Sequence, residues 1–396
     1  MKTISWHAFA VLLATPGRSI AAPATAFRFA TFNASLFRQA PQQLAEDLRS
    51  PNDPQARQVA EIIQRVRPHV LLINEFDFDP QRVAARRFRE NYLSIGQNGQ
   101  QPIEYPHVFL APVNTGLPTG LDLDRDGRAD GPADAFGFGR FPGQYGMVVF
   151  SMYPFQYDAV RTLQNFLWKD MPGAQRPLIP TTGKPFHDDE TWNALRLSSK
   201  SHWDLPITIG RHTVHFLCAH PTPPVFDGLE DRNGLRNRDE IRLLADYLDP
   251  ERSDYIYDDQ GQRGGLEPGA HFIVAGDLNT DPLDGDGRVG AIAQLTEHPL
   301  LNHRRVPSSR GAVEKTLRDA GANRRQLGNA AHDTADFEDR GVGNLRVDYV
   351  LPCSRFSLQD QGVFWPTQSE QGYGLIGASD HRMVWIDVAF AAGTRD

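Results

Sequence analysis

The chain has 396 residues, 40% hydrophobic and 23% charged, with a formal net charge of −8. This is an ordinary globular composition, and two cysteines without a CxxC exclude the zinc-finger and disulfide-scaffold classes. The acidic balance and the lack of a dense Lys/Arg run weaken the case for a non-specific nucleic-acid binder with a strongly cationic face, although a bound divalent cation can reverse the local sign.

At the start, Lys2, an apolar stretch over Ala8–Ala14 and the small-residue run Ala21-Ala22-Pro23-Ala24-Thr25-Ala26 resemble a secretory signal, made irregular by His7 and Pro16. Residues 1–26 are therefore expected to be a signal peptide and the protein to be secreted or periplasmic. No other stretch approaches the ~20 apolar residues of a membrane span. Residues 27–392 are expected to form one domain, acting as a monomer, with insertions near 96–144, 162–194 and 296–343.

Phe27–Phe32 alternates apolar residues into Asn33 and reads as a strand. Asp53-Pro54 supplies an N-cap and a proline at the first helical position, Val59, Ile62, Ile63 and Val66 follow at helical spacing, and Pro68 closes the segment. Val70–Ile73 is a second apolar strand, leading through Asn74 to Glu75 at its C-terminal end. Asp79-Pro80 opens another helix with Val83, Ala84, Phe88 and Tyr92 inward. A strand, helix and strand in quick succession give the chain α/β or α+β character.

From about Gly96 to Gln144 the composition shifts to Gly, Pro and Asp. Asp122, Asp124, Asp126 and Asp130, with Gly127, match the oxygen-ligand and glycine positions of an EF-hand-type calcium loop. The last ligand position holds Ala133, with Asp134 next to it as a substitute. A structural Ca2+ and a merely solvated acidic loop both remain open, and either way the segment reads as a structural insertion. Tyr145–Pro154 resumes strand character. Leu195–Ser199 and Leu205–Ile209 are plausible strands, and His212–Ala219 alternates into His220. Arg236–Leu248 reads as a helix with Ile241, Leu244 and Leu248 on one face.

His271–Ala275 is an apolar strand that breaks at Gly276 and delivers Asp277 and Asn279, two residues apart and so on one side of a strand. A less regular acidic cluster, Asp281, Asp284 and Asp286, follows. After a polar segment over Asn302–Gly343, Leu345–Leu351 reads as a strand holding Asp348, and Ser379-Asp380-His381 precedes the strand Met383–Val388. Cys218 and Cys353 lie in or just after strands and read as two buried small residues or as one disulfide. The whole pattern is strand-dominated, which suggests two packed sheets flanked by helices.

Polar residues thus gather at strand ends: Asn33, Glu75, His220, Asp277, Asn279, Asp348, Asp380 and His381. A carboxylate and a carboxamide facing one centre can orient a water and donate to developing charge. An acid inside a strand such as Asp348 costs on the order of a few kcal/mol to bury alone, so a histidine is its natural partner.

Taken in order, Thr31-Phe32-Asn33, Asn74-Glu75, Tyr145-Gly146 with Ser151-Met152-Tyr153-Pro154, Ala219-His220, Gly276-Asp277-Leu278-Asn279, Arg346-Val347-Asp348-Tyr349 and Ser379-Asp380-His381 resemble the endonuclease/exonuclease/phosphatase superfamily, which includes deoxyribonucleases, abasic-site endonucleases, inositol polyphosphate 5-phosphatases and neutral sphingomyelinases. The resemblance implies an α+β fold, a four-layer α/β/β/α sandwich of two mixed β-sheets flanked by helices, as in deoxyribonucleases. It implies Mg2+ (or Mn2+) held by Glu75 with Asn33 and Asp380 close by. It further implies Asp277 orienting or deprotonating the attacking water, Asn279 stabilising the transition state, His381 polarised by Asp348, and His220 protonating the leaving oxygen. Ser35 stands where some relatives carry a second acid.

The motifs that mark inositol phosphatases and abasic endonucleases are absent, so the substrate is expected to be a phosphodiester or phosphomonoester, nucleic acid first and a lipid or sugar phosphate as alternatives. A catalytically inactive, calcium-stabilised binding protein is the reading from another class. Arg196, Lys200 and His202 are candidate phosphate contacts, or else basic residues facing outward from an ordinary strand.

Overall fold

The computed structural model describes residues 26–302 and 305–391, so the expected signal segment lies outside the described residues but for Ala26. Two mixed sheets pack face to face. The first contains β1 (Phe27–Asn33), β2 (Val70–Asn74), β3 (His107–Phe109) and β4 (Met147–Ser151), joined by two strands from the end of the chain. The second contains β5 (Arg161–Thr162), β6 (His202–Ile209), β7 (His212–Ala219) and β8 (His271–Asp277). A small pair, β9 (Ala335–Asp336) and β10 (Asn344–Leu345), stands apart. Then β11 (Asp348–Pro352) joins the second sheet, and β12 (Phe356–Val363) and β13 (Val384–Phe390) complete the first.

Each sheet has one parallel pair, β1 with β2 and β7 with β8. A parallel pair needs a crossover, and helices supply it: α1 (Gln43–Asp47) and α2 (Pro54–Val66) in the first half, with α3 (Val83–Phe88) packed beside them. In the second half, after the short α4 (Asp189–Ala194), α5 (Arg232–Leu248) makes the crossing. Asp53 caps α2 by accepting the Ala56 N–H at 2.7 Å, with Pro54 in the first turn, and Arg67 ends the helix in a left-handed conformation just before Pro68. Strand periodicity divides β2 between two cores. Val70 and Leu72 meet Phe216 and Ile273 between the sheets, while Leu71 and Ile73 meet Val59 and Ile63 under the helices. The layers run helix, sheet, sheet, helix, so the fold is α+β as expected. No described helix is long and apolar enough to cross a membrane.

Several local expectations change. Leu195–Ser199 is not a strand: only Arg196 bridges to Leu167, and the carbonyl of Ser198 is taken by the side-chain amide of Asn114 at 2.8 Å rather than by a ladder partner. The long polar segment near 296–343 holds α6 (Ala293–Thr296) at its start and α7 (Arg310–Asp319), capped by Ser309 through the Ala312 N–H, as well as β9 and β10. The polar edge strand β12 has no apolar run to betray it. Cys218 and Cys353 are buried and free, which settles the choice against a disulfide.

Candidate active site

The strand directions bring the polar residues together. Both parallel pairs end at the same edge of the sandwich, which places Asn33, Glu75, His220 and Asp277 there. β11 runs antiparallel to β8 with Asp348 opposite Asp277, so its first residue lands beside them. Gly276 is required by this crowding. Its φ is 155°, and a Cβ there would stand 1.9 Å from the Ala219 carbonyl oxygen, next to His220.

Asp277 is the centre. Its Oδ2 accepts from Asn33 Nδ2 at 3.0 Å and faces His220 Nε2 at 3.3 Å and His381 Nε2 at 3.7 Å, while Oδ1 accepts the Asn279 N–H at 2.9 Å. Burial opposes its ionisation, but His381, His220 and Asn33 outweigh burial and hold the carboxyl well below the usual carboxylate range. His381 donates from Nδ1 to Asp348 Oδ2 at 2.9 Å. Burial alone would lower its pKa, yet the charges of Asp348 and Asp277 raise it to about 10, so it is an imidazolium at neutral pH. Burial and the Asp277 charge raise the Asp348 carboxyl, against the pull of His381. His220 goes the other way: burial and then the Lys200 charge push it down to about 4. Facing a carboxylate oxygen, its neutral ring must carry the proton on Nε2. Asn279, in a left-handed conformation, donates from Nδ2 to Pro221 O at 3.1 Å.

Glu75, also left-handed (φ 58°), has its carboxyl raised to about 7 by burial, against the pull of His381 and a hydrogen bond from Asn33. Among the described residues it makes no ion pair. Asp380 is exposed at the outer edge and accepts from Ser35 Oγ at 3.2 Å. Asn33 Oδ1 accepts the Ser35 N–H. A desolvated carboxylate that makes no direct ion pair, in an all-oxygen set, fits a hard divalent cation. Ser35 thus fastens the Asp380 loop where an acid would have added a ligand.

The three candidate phosphate contacts separate. Lys200 is buried beside the centre, its pKa lowered by burial and raised in part by Glu240, Glu75 and Asp277. No described residue pairs with its ammonium. Arg196 is tied up, donating to Asn114 Oδ1 at 2.7 Å with its guanidinium over the Phe136 ring. His202 is buried between Ser198 Oγ (2.7 Å) and the Glu240 carbonyl (3.1 Å), a structural post rather than a phosphate contact.

In the acidic loop, carboxylate oxygens of Asp122, Asp124 and Asp126 lie within 4.8 Å of one another. Asp130 does not join them, because it pairs with Arg128, and Asp134 is spent on the N–H groups of Leu123 and Gly131. Asp281 and Asp284 tie loops by accepting backbone N–H groups of Arg346, Leu327 and Gly328.

Three supporting residues had been given no role from the sequence. Asn74 spans the sheets: its Oδ1 takes Thr31 Oγ1 (3.1 Å) and the Asp277 N–H (3.3 Å), and its Nδ2 reaches Ala219 O (3.4 Å). Thr334 donates to Asp348 Oδ2 at 2.8 Å and accepts the Asp348 N–H. Asn114 binds the Lys200 carbonyl through its N–H at 2.8 Å. Two segments read as mere insertions therefore support the site. A polar Asn at a strand end was the available signal for Asn74; Thr334 and Asn114 left none.

A family profile described as "Endonuclease/Exonuclease/phosphatase family" matches residues 30–381. The chain belongs to this family. Its members are phosphoesterases, and the matched span runs from β1 to His381. No curated protein matches the sequence. Among solved structures, the chain is similar to the endonuclease/exonuclease/phosphatase from Beutenbergia cavernae DSM 12333 (16% identity, TM-score 0.48, 92% of this chain and 72% of that one). It is also similar to sphingomyelinase C from Streptomyces griseocarneus (14%, 0.45, 92% and 99%) and to a mannosyl-6-phosphatase from Bacteroides thetaiotaomicron (12%, 0.44, 92% and 100%).

Proposed function

We propose that this member of the family is a Mg2+-dependent phosphoesterase, nuclease-like in cleaving a phosphodiester. The observation that carries the reading is the convergence of Asn33, His220 and His381 on one oxygen of Asp277, with Asp348 behind His381. Glu75, with Asp380 and Asn33 nearby, would hold the divalent cation, which supplies charge neutralisation for the attack of a nucleophile on an anion.

The remaining steps belong to the side chains. Asp277 is too weak a base, held so far below the ordinary range, to take the water's proton early, so its role is to orient the water. As the water oxygen bonds to phosphorus, charge grows on the phosphoryl oxygens, and the Lys200 ammonium and His381 imidazolium face it. As the bond to the leaving oxygen breaks, His381 gives up its proton to that oxygen, and the water's proton leaves through Asp277. His220, neutral and donating to Asp277, fixes the carboxylate instead of protonating the leaving group. Asn279 keeps one amide hydrogen for the transition state.

The test is a panel of plasmid DNA, bis(p-nitrophenyl) phosphate, p-nitrophenyl phosphate, sphingomyelin and a sugar phosphate, with Mg2+ and with EDTA. Asp277→Ala and His381→Ala should each lower hydrolysis at least about 100-fold. Turnover that survives excess EDTA would remove the metal from the reading, and a monoester as the preferred substrate would replace the nuclease-like part. The proposal includes export, supported by the signal-like N-terminal sequence and tested by fractionating cells that express the full chain. It also includes a structural Ca2+ at the oxygen-only set Asp122, Asp124 and Asp126.

A further inference from the structure

Helix α5 carries an uncommon polar face toward the site. Glu240 is fully buried, and its two carboxylate oxygens accept the backbone N–H groups of Ser199 and Thr222, each at 2.6 Å. Ser199 immediately precedes Lys200, and Thr222 follows His220 by two residues. The Ser199 hydroxyl also donates to the His220 carbonyl at 3.2 Å, so these two loops are fastened to each other as well as to the helix.

Asn237 lies three positions earlier, on the same helical face, and is equally buried. Its Nδ2 donates to Thr222 O at 2.8 Å and Leu278 O at 3.0 Å, and its Oδ1 accepts Thr280 Oγ1 at 2.5 Å. Leu278 and Thr280 flank Asn279 and adjoin Asp277. One helical turn therefore grips three loops, each bearing a residue of the site. His202 anchors the turn in place through the Glu240 carbonyl.

A buried carboxylate is a costly way to close two loops. A carboxylate accepts on both oxygens without a proton of its own to turn toward either donor, whereas a glutamine would turn an N–H toward one of the two N–H donors. The charge has a second use, since Glu240, with Glu75 and Asp277, offsets the burial of Lys200 against the opposing Arg236.

We propose that Glu240, with Asn237 one turn before it, is a positioning residue for phosphoester hydrolysis, holding Lys200 and His220 in register with Asp277 and Asn279. The inference rests on the reading of the site given above. The test follows hydrolysis of bis(p-nitrophenyl) phosphate with Mg2+ by the full chain, comparing wild type, E240Q, E240D, K200M, the double variant E240Q/K200M, and D277A. E240Q should lower kcat about 10–100-fold with a smaller change in KM, as loss of an orienting partner does. E240D, which keeps the charge, should recover part of that loss. In the K200M background the E240Q step should cost several-fold less, because a residue it acts through is gone.

Equal losses in both backgrounds, or a loss matching only a reduced folded fraction by circular dichroism, overturn the inference. If E240Q does not fold, the same cycle is run with E240D and judged by the same additivity. A wild-type-like E240Q beside an inactive D277A overturns the positioning role alone. An active D277A, or a wild type that hydrolyses nothing in the panel, overturns the site reading and the inference together.

Discussion

Asn33 and Asp277, 244 residues apart in sequence, meet across the two sheets, the carboxamide of one donating to Oδ2 of the other at 3.0 Å. The contact couples the metal-side loop to the water-orienting acid, because the Asn33 amide also favours the ionised form of Glu75 and its Oδ1 holds the Ser35 N–H. Asn33→Ala should reduce kcat/KM about 10–100-fold and weaken activation by Mg2+ with little effect on melting temperature. Unchanged kinetics would show that His220 and His381 suffice to hold Asp277.

Asp348→Asn leaves His381 a hydrogen-bonding partner without a charge. The imidazolium then loses the largest of the attractions that keep it protonated. Activity at neutral pH should fall by about 100-fold or more, and the His381 ring, followed by NMR, should titrate at lower pH than in wild type. A His381 that still titrates near 10 would remove Asp348 from this role.

Calcium added to chelator-treated protein should raise the melting temperature, and Asp124→Asn should abolish the increase while leaving the effect of Mg2+ on turnover intact. An identical calcium response in the variant would show that Asp122, Asp124 and Asp126 hold no ion.

Asp333 gives a test of pH dependence away from the reaction. It is buried, its Oδ2 is unpartnered, and burial followed by the charges of Asp281 and Asp284 pushes its carboxyl up to about 8. In the unfolded chain the group titrates near 4. The folded protein therefore holds the proton more tightly, and this contribution is fully present below about pH 4 and is lost as the pH rises through about 8. Asp333→Asn removes that loss, so its melting temperature should gain on wild type as the pH is raised, with the two converging in acid. Parallel profiles would contradict the assignment.

The contrast between what could and could not be read follows from how each residue is held. Asn33 and Asp277 were legible because an apolar strand run ends at a polar residue, and Asp348 because an acid stands within an apolar strand pattern, both local signals. The fold class followed from the same runs. Arg196 and His202 looked like phosphate contacts because a basic residue near a strand offers no local clue to its partner, and Asn114 and Glu240 lie tens of residues away. Glu240 and Asn237 themselves read as the polar side of an amphipathic helix. Only tertiary packing turns that side inward, against loops rather than water. Thr334 sits in a segment without periodicity, and its importance comes wholly from Asp348.

The Ser35 hydroxyl lies 3.0 Å from that of Ser379, closing a loop of 344 residues. Glu75 and Asn33 come from the first half of the chain, Asp277 from the second and His381 from its last strand connection. Nothing local in sequence can assemble this centre, and contacts of such long range are slow to form in folding. During unfolding the reverse holds: slight separation of the two sheets should silence hydrolysis while both are still hydrogen-bonded. Turnover would then be a finer gauge of how the two halves are docked than any spectroscopic measure of their strands.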